Sequence, residues 1–212
     1  MTKNIYIIRH GETEYNKIGI VQGSGVDTDL NDTGRAQAAA FYSHYQHIDF
    51  QLIITSKLKR TAQTVAPFLA KGIPHVATSL INEINWGAHE GKKSSPESRE
   101  NYRQTVARWN NGDYTAHTTD GQSAESLGNA LTQFLAELQS RPEQNILVAT
   151  HGRTLRALIC LLKKEPLSNM DKYDHFNTGL VLAHIENGVF SVTIENDISH
   201  LPTYTLKNTY GL

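Results

Sequence analysis

Two histidines stand where apolar runs end. Ile5-Tyr6-Ile7-Ile8 stops at Arg9-His10-Gly11, and Asn145-Ile146-Leu147-Val148-Ala149-Thr150 stops at His151-Gly152. A β-branched run closing on Arg-His-Gly reads as a buried strand that delivers an imidazole to the mouth of a sheet. In open α/β sheets the ligand crevice lies beyond the carboxyl ends of the strands. An imidazole beside a guanidinium tends to the neutral form, because the like charge disfavours the imidazolium. Neutral imidazole is a nucleophile, and guanidinium is the side chain best shaped to grip phosphate. The pair points to phosphoryl transfer onto histidine. One such strand end would read equally well as a structural hydrogen-bonder. Two in one chain are hard to obtain from packing needs alone.

The elements that must position these residues follow from the pattern of the chain. It predicts a strand over about 4–9, an active-site loop over 10–32, a helix over about 33–47 with Thr33 in capping position, and a strand over about 51–55. A helix over about 57–71 follows, with Ser56 as its cap and Leu58, Ala62, Val65 and Leu69 as one apolar stripe. A short strand near 75–79 precedes a loop carrying Glu83. A long helix (about 123–140), the strand at 145–150 and a helix over about 152–163 complete the alternation. Two last apolar runs, 180–185 and 189–194, flank Glu186-Asn187-Gly188, a strong hairpin signal. The expected fold class is α/β, a three-layer αβα sandwich with a mostly parallel central sheet and a C-terminal hairpin at its edge.

Composition bounds the possibilities. The chain has 212 residues, 39% hydrophobic and 19% charged, which fits one domain with a full core. A formal net charge of −1 gives no overall pull toward nucleic acid or anionic membrane. No apolar stretch approaches the roughly 18 residues of a membrane span. The single cysteine, Cys160, permits no intrachain disulfide and reads as a buried small hydrophobe in a cytoplasmic protein. Residues 92–122 differ from the rest: Lys92, Lys93, Arg99, Arg103 and Arg108 with few aliphatics and two aromatic anchors, Tyr102 and Trp109. They read as a mostly helical insertion lying over the site. Arg99, Arg103 and Arg108 could grip a second anionic group or could form a solvated helix face.

Arg9-His10-Gly11-Glu12-Thr13 with Asn16 resembles the opening signature of the histidine phosphatase superfamily, which includes the phosphoglycerate mutases. Four further blocks resemble that family in order: Gln22-Gly23 with Asp27, Leu30-Asn31 and Gly34; Ser56 through Thr64 around Arg60; Leu80, Glu83, Gly87 and Glu90-Gly91; and Thr150-His151-Gly152. The blocks span residues 5 to 160. The resemblance implies the family's three-layer fold and a metal-independent phosphatase with no cofactor. His10 would attack phosphorus and become phosphohistidine. Arg9, Arg60 and His151 would meet the phosphate charge, helped by Asn16, Gln22, Gly23 and the amides around Gly11 and Gly152. Glu83 would protonate the leaving oxygen, for which it must hold a proton near neutral pH; Glu90 is the competing acid.

The resemblance leaves mutase and phosphatase open, though Glu83 is followed by Ile84-Asn85-Trp86 as in phosphatase-like members. A silent phospho-ligand binder would be expected to lack one of His10, Arg60, Glu83 or His151, and all are present. Gln122 departs from the family's Gly-Glu-Ser, which affects any borrowed substrate. The implied partner is a phosphorylated small molecule; a homodimer stays open. Among ten histidines, His44 and His47 are three apart, but no third ligand completes a metal set around them.

Overall fold

In the computed structural model, which describes residues 2–202, the sheet is built first from β1 (Lys3–Arg9), β2 (Leu52–Ser56), β3 (His75–Thr78) and β4 (Asn145–Thr150). β5 (Leu180–Glu186) and β6 (Val189–Asp197) complete it, in the order β3-β2-β4-β1-β5-β6. β1 runs parallel to β4, with Ile5 opposite Ile146 and Arg9 opposite Thr150, and β2 is parallel to both β4 and β3. β5 is antiparallel to β1 and β6. The β1–β4 pairing is the decisive one, since it sets the ends of the two histidine-bearing strands side by side.

The central strands are apolar throughout because both their faces are covered. Ile5 and Ile7, Leu52 and Ile54, and Ile146 and Val148 face one core, while Ile8, Ile53, Leu147 and Ala149 face the other. The first core is filled by α5 (Ala124–Ser140) and α6 (Gly152–Leu162), through residues such as Leu131, Phe134, Leu155 and Leu158. The second is filled by α2 (Asp32–Tyr45) and α3 (Lys59–Leu69), through Phe41, Val65 and Phe68. Burying each such side chain stabilises the fold by about 1.5–3 kcal/mol. The result is an α/β three-layer sandwich. Cys160 is fully buried in the first core, and burial pushes its thiol up to about 12. Asn187 and Gly188, at φ 50° and 76°, make the left-handed turn that joins β5 to β6.

Local capping differs from expectation. Asn31, not Thr33, caps α2: its side chain accepts from Gly34 N at 2.8 Å and donates to Glu12 Oε1 at 2.8 Å. Ser56 does not cap α3, which begins at Lys59 behind Leu58 without a cap of its own. Instead the carboxylate of Asp27, 32 positions earlier, accepts the Lys59 amide at 2.9 Å. The predicted active-site loop also contains a short helix, α1 (Glu14–Ile18), held by a capping box between Thr13 and Asn16 and ended by Gly19 at φ 69°.

Within residues 92–122 one helix forms, α4 (Pro96–Asn110), anchored by Trp109, which donates from Nε1 to Ala116 O at 2.9 Å. Arg103 pairs with Glu100 and Arg108 with Asp113 on the exposed side, so these two arginines form a solvated face. Gln122 bridges two elements: its Oε1 accepts from Asn85 N at 3.3 Å and its Nε2 donates to Ser126 Oγ at 3.2 Å. His44 and His47 are exposed.

Candidate active site

β1 ends on Arg9 and delivers His10 beside the end of β4, where His10 N donates to Thr150 O at 2.9 Å. The loop after it is pinned from three sides. Thr64 of α3 accepts the Gly11 amide at 2.9 Å, Asn177 donates to His10 O at 2.8 Å, and the Thr178 amide donates to Arg9 O at 3.0 Å. The Gly11 amide is thus spent within the protein. His10 is 3% exposed, and its Nδ1 lies 2.7 Å from Gly11 O. A carbonyl can only accept, so Nδ1 carries the proton and Nε2 keeps its lone pair. Burial, then the charges of Arg60 and Arg9, hold the imidazolium well below its ordinary value. His10 is thereby held as a neutral imidazole with the Nε2 lone pair fixed in place.

Arg60, in the first turn of α3, is fully buried. Its Nη1 donates to Val26 O at 2.8 Å, its Nη2 to Gly23 O at 3.3 Å, and its Nε to His151 Nδ1 at 3.2 Å. His151 in turn lies 2.8 Å from Ser56 Oγ through Nε2, with its ring 5.2 Å from that of His10. Burial lowers both Arg60 and Arg9 to about 10, leaving two cations at neutral pH. Arg9 donates from Nη1 to His175 O at 2.9 Å, while its buried Nε has no partner. A buried guanidinium N–H without an acceptor is costly, and an incoming anion would satisfy it.

Glu83 reaches the site from the loop after β3. One of its oxygens, Oε2, accepts the Arg153 amide at 3.2 Å, and Oε1 accepts those of Thr154 at 3.1 Å and Ile84 at 3.0 Å. Arg153 and Thr154 lie in the first turn of α6, whose amides lack helical partners and fix where the Glu83 carboxyl group sits. Glu90 is turned elsewhere: Oε1 accepts from Trp86 N at 2.7 Å and stands 2.0 Å from where a Cβ on Gly23 would be. It fastens the loop holding Gly23 and Gly25 to the loop after Glu83.

The structure brings Arg9, His10, Asn16, Gln22, Glu83 and Gly152 onto one cleft. Arg60 and His151 are buried behind His10, and Gly23 contributes a carbonyl to Arg60. Gln22 spends its amide on Thr13 Oγ1 at 2.6 Å and on Thr28. Sequence reasoning missed His175, Trp86 and Arg153, which share the cleft. Gly152 had a signal: a Cβ there would meet His175 Cδ2 at 2.6 Å, so the glycine marks a close approach. Among the described residues no group of three or more His, Cys, Asp or Glu is arranged to hold a metal ion. Nor is any helix among them long and apolar enough to cross a membrane.

The family model of the histidine phosphatase superfamily, branch 1, matches residues 5–198. The chain belongs to the histidine phosphatase superfamily. Phosphoserine phosphatase 1 of Hydrogenobacter thermophilus is 29% identical, with 86% of each chain covered. Adenosylcobalamin/alpha-ribazole phosphatase of Salmonella typhimurium is 26% identical over 78% of this chain and 82% of its own. Among solved structures, a mutant phosphoserine phosphatase from Entamoeba histolytica in complex with phosphoserine superposes with a TM-score of 0.81. It is 25% identical, over 94% of this chain and all of that one. This member of the superfamily is a phosphatase, a phosphoric monoester hydrolase.

Proposed function

We propose that the protein hydrolyses the phosphate monoester of a small metabolite through a phosphohistidine on His10, without a metal ion. The observation that carries this reading is the buried, neutral His10, its Nδ1–H tied to Gly11 O and its Nε2 free, next to two charged guanidiniums. The phosphoryl group spreads charge over three equatorial oxygens in its transition state, so fixed cations stabilise it more than they stabilise the ground state. Arg9 and Arg60 supply that charge, with Asn16, Gln22 and Gly152 shaping the cleft around it. Both nitrogens of His151 are engaged, so it acts on the phosphate through Arg60, whose guanidinium it orients.

The reaction runs in two displacements. The Nε2 lone pair of His10 attacks phosphorus in line, the ester P–O bond breaks, and Glu83 gives its proton to the departing oxygen. Water then attacks the phosphohistidine, Glu83 takes the water's proton, and the P–N bond breaks to release inorganic phosphate. Relatives named as phosphatases favour this outcome over transfer to a second hydroxyl. A single buried cysteine fits a reducing cytoplasm. Brief incubation with a phosphorus-labelled monoester, followed by peptide mapping, tests the reading: acid-labile label on His10, and none on the His10→Ala protein. Label remaining on His10→Ala would reject it.

A further inference from the structure

The cleft holds a guanidinium that the phosphate grip does not use. Arg153, the second residue of α6, is 8% exposed and lines the cleft together with Tyr102 and Trp86. Its Nη1 donates to Asp171 Oδ1 at 2.7 Å and its Nη2 to the Tyr102 hydroxyl at 2.5 Å. Its Cζ lies 5.8 Å from the Trp109 ring centre and 5.9 Å from that of Trp86, within cation–π reach of both. A guanidinium so held has lost its rotamer freedom before any ligand arrives, so ordering it costs little on binding. Desolvation is offset by Tyr102 and Asp171, and the group stays charged.

That carboxylate is shared. The same Oδ1 accepts from Arg156 Nη1 at 3.0 Å, so one anion stands between two cleft-lining guanidiniums. Arginine has five N–H donors in a planar fork, and Asp171 and Tyr102 use two of those on Arg153. Arg103 and Arg108, by contrast, are paired at the surface of α4. On the proposed reading the charge of the scissile group is met by Arg9, the last residue of β1, and Arg60, in the first turn of α3. Arg153 stands on α6 against Tyr102 of α4, and its own amide holds Glu83, the proposed proton donor to the leaving oxygen.

We infer that Arg153 is a specificity-determining residue, selecting monoesters whose leaving group carries a second anion, a carboxylate or a second phosphoryl group. This rests on the reading of the cleft as a phosphatase site. The chemistry is that of a fork-shaped cation already fixed against aromatic rings, for which a planar carboxylate or a phosphoryl group is the fitting partner.

The test compares kcat/KM within matched pairs. Phosphoserine and phosphoethanolamine differ by one carboxylate; 1,3-propanediol bisphosphate and its monophosphate differ by one phosphoryl group. p-Nitrophenyl phosphate serves as a reference. Wild-type protein should favour the anionic member of at least one pair by about 10- to 100-fold, the size of a hydrogen bond to a charged group. Which pair discriminates identifies the anion. Arg153→Met, which keeps the stem against the tryptophans, should reduce that ratio at least tenfold, mostly through KM. Arg153→Lys should keep part of it. Should Arg153→Met not fold, Tyr102→Phe, which releases Nη2, must also lower the ratio. A wild-type enzyme that turns over p-nitrophenyl phosphate but discriminates neither pair rejects this inference alone. So does an Arg153→Met protein that retains the ratio. Absence of turnover on all five compounds rejects the phosphatase reading and this inference together.

Discussion

Arg60 Nε points at His151 Nδ1 across 3.2 Å, and this bond sets the two histidines of the site in opposite tautomers. Arginine can only donate, so His151 Nδ1 accepts and its proton stays on Nε2, directed at Ser56 Oγ. His10 carries its proton on Nδ1, where Gly11 O accepts it. Two buried rings 5.2 Å apart therefore divide the work: one presents a lone pair on Nε2, and the other spends its lone pair holding a guanidinium. Neither can charge readily, because burial, and after it the charges of Arg60 and Arg9, hold both imidazoliums down.

Activity should survive chelation. The cations proposed to meet the phosphate charge are Arg9, which lines the cleft, and Arg60, buried behind His10, and EDTA touches neither. Phosphate release should be the same within error before and after dialysis against EDTA. A loss restored by Mg²⁺ or Zn²⁺ would mean that a metal meets part of the phosphate charge.

Glu83→Gln should hit substrates unequally. An amide cannot protonate a leaving oxygen, so phosphorylation of the enzyme by alkyl phosphates should slow by roughly 10²–10⁴-fold. The nitrophenolate of p-nitrophenyl phosphate departs with little help and should lose much less. Pre-steady-state phosphorylation separates this step from hydrolysis. An equal fall for both substrates would make Glu83 a structural carboxylate.

Gly23→Ala should damage the site through Glu90 and Arg60. The new Cβ would stand 2.0 Å from Glu90 Oε1 and 2.5 Å from Ile84 O, and a backbone oxygen gives way poorly. Overpacking of this kind costs about 1–3 kcal/mol, a Tm drop of about 2–12 °C for a chain of this size. Because Gly23 O also anchors Arg60 Nη2, kcat should fall with it. A variant with unchanged Tm and kcat would show that the clasp is dispensable.

Stability should decline on the acid side of pH 6.5. In the folded state His10 and His151 lie well below the usual histidine value, and burial pulls His200 down to about 4. Below pH 6.5 the unfolded chain binds protons that the native protein does not, so the native state loses ground as pH falls. The window opens at about 6.5 and extends to about 4 for His200, further for the other two. Each group contributes a slope of about 1.4 kcal/mol per pH unit. Urea unfolding at pH 7.5, 6.5 and 5.5 reads this directly. A flat profile between 6.5 and 5.5 would contradict neutral burial of these rings.

What the sequence disclosed about this fold is the part governed by period and by strand ends. Ile5–Ile8 and Ile146–Ala149 read as buried strands because both faces of a central parallel strand are apolar, and the histidines then fell at their carboxyl ends. Capping was less legible. Asn31 outcompetes Thr33 because its amide also binds Glu12, and Asp27 serves α3 from 32 residues away. No local rule finds a cap of that kind. His175 and Arg153 were hidden for a related reason: they sit in segments whose hydrophobic pattern is ordinary, and only the folded cleft reveals what they face.

One turn of α6 carries two separable duties. Its backbone amides at positions 153 and 154 hold the Glu83 carboxylate, while the side chain at 153 reaches across to Tyr102 and Asp171. Every residue except proline supplies the same amide. Substitution at 153 can therefore change which leaving groups are welcomed while the proton donor stays moored. A fold built this way can diversify its diet at one position without rebuilding its chemistry.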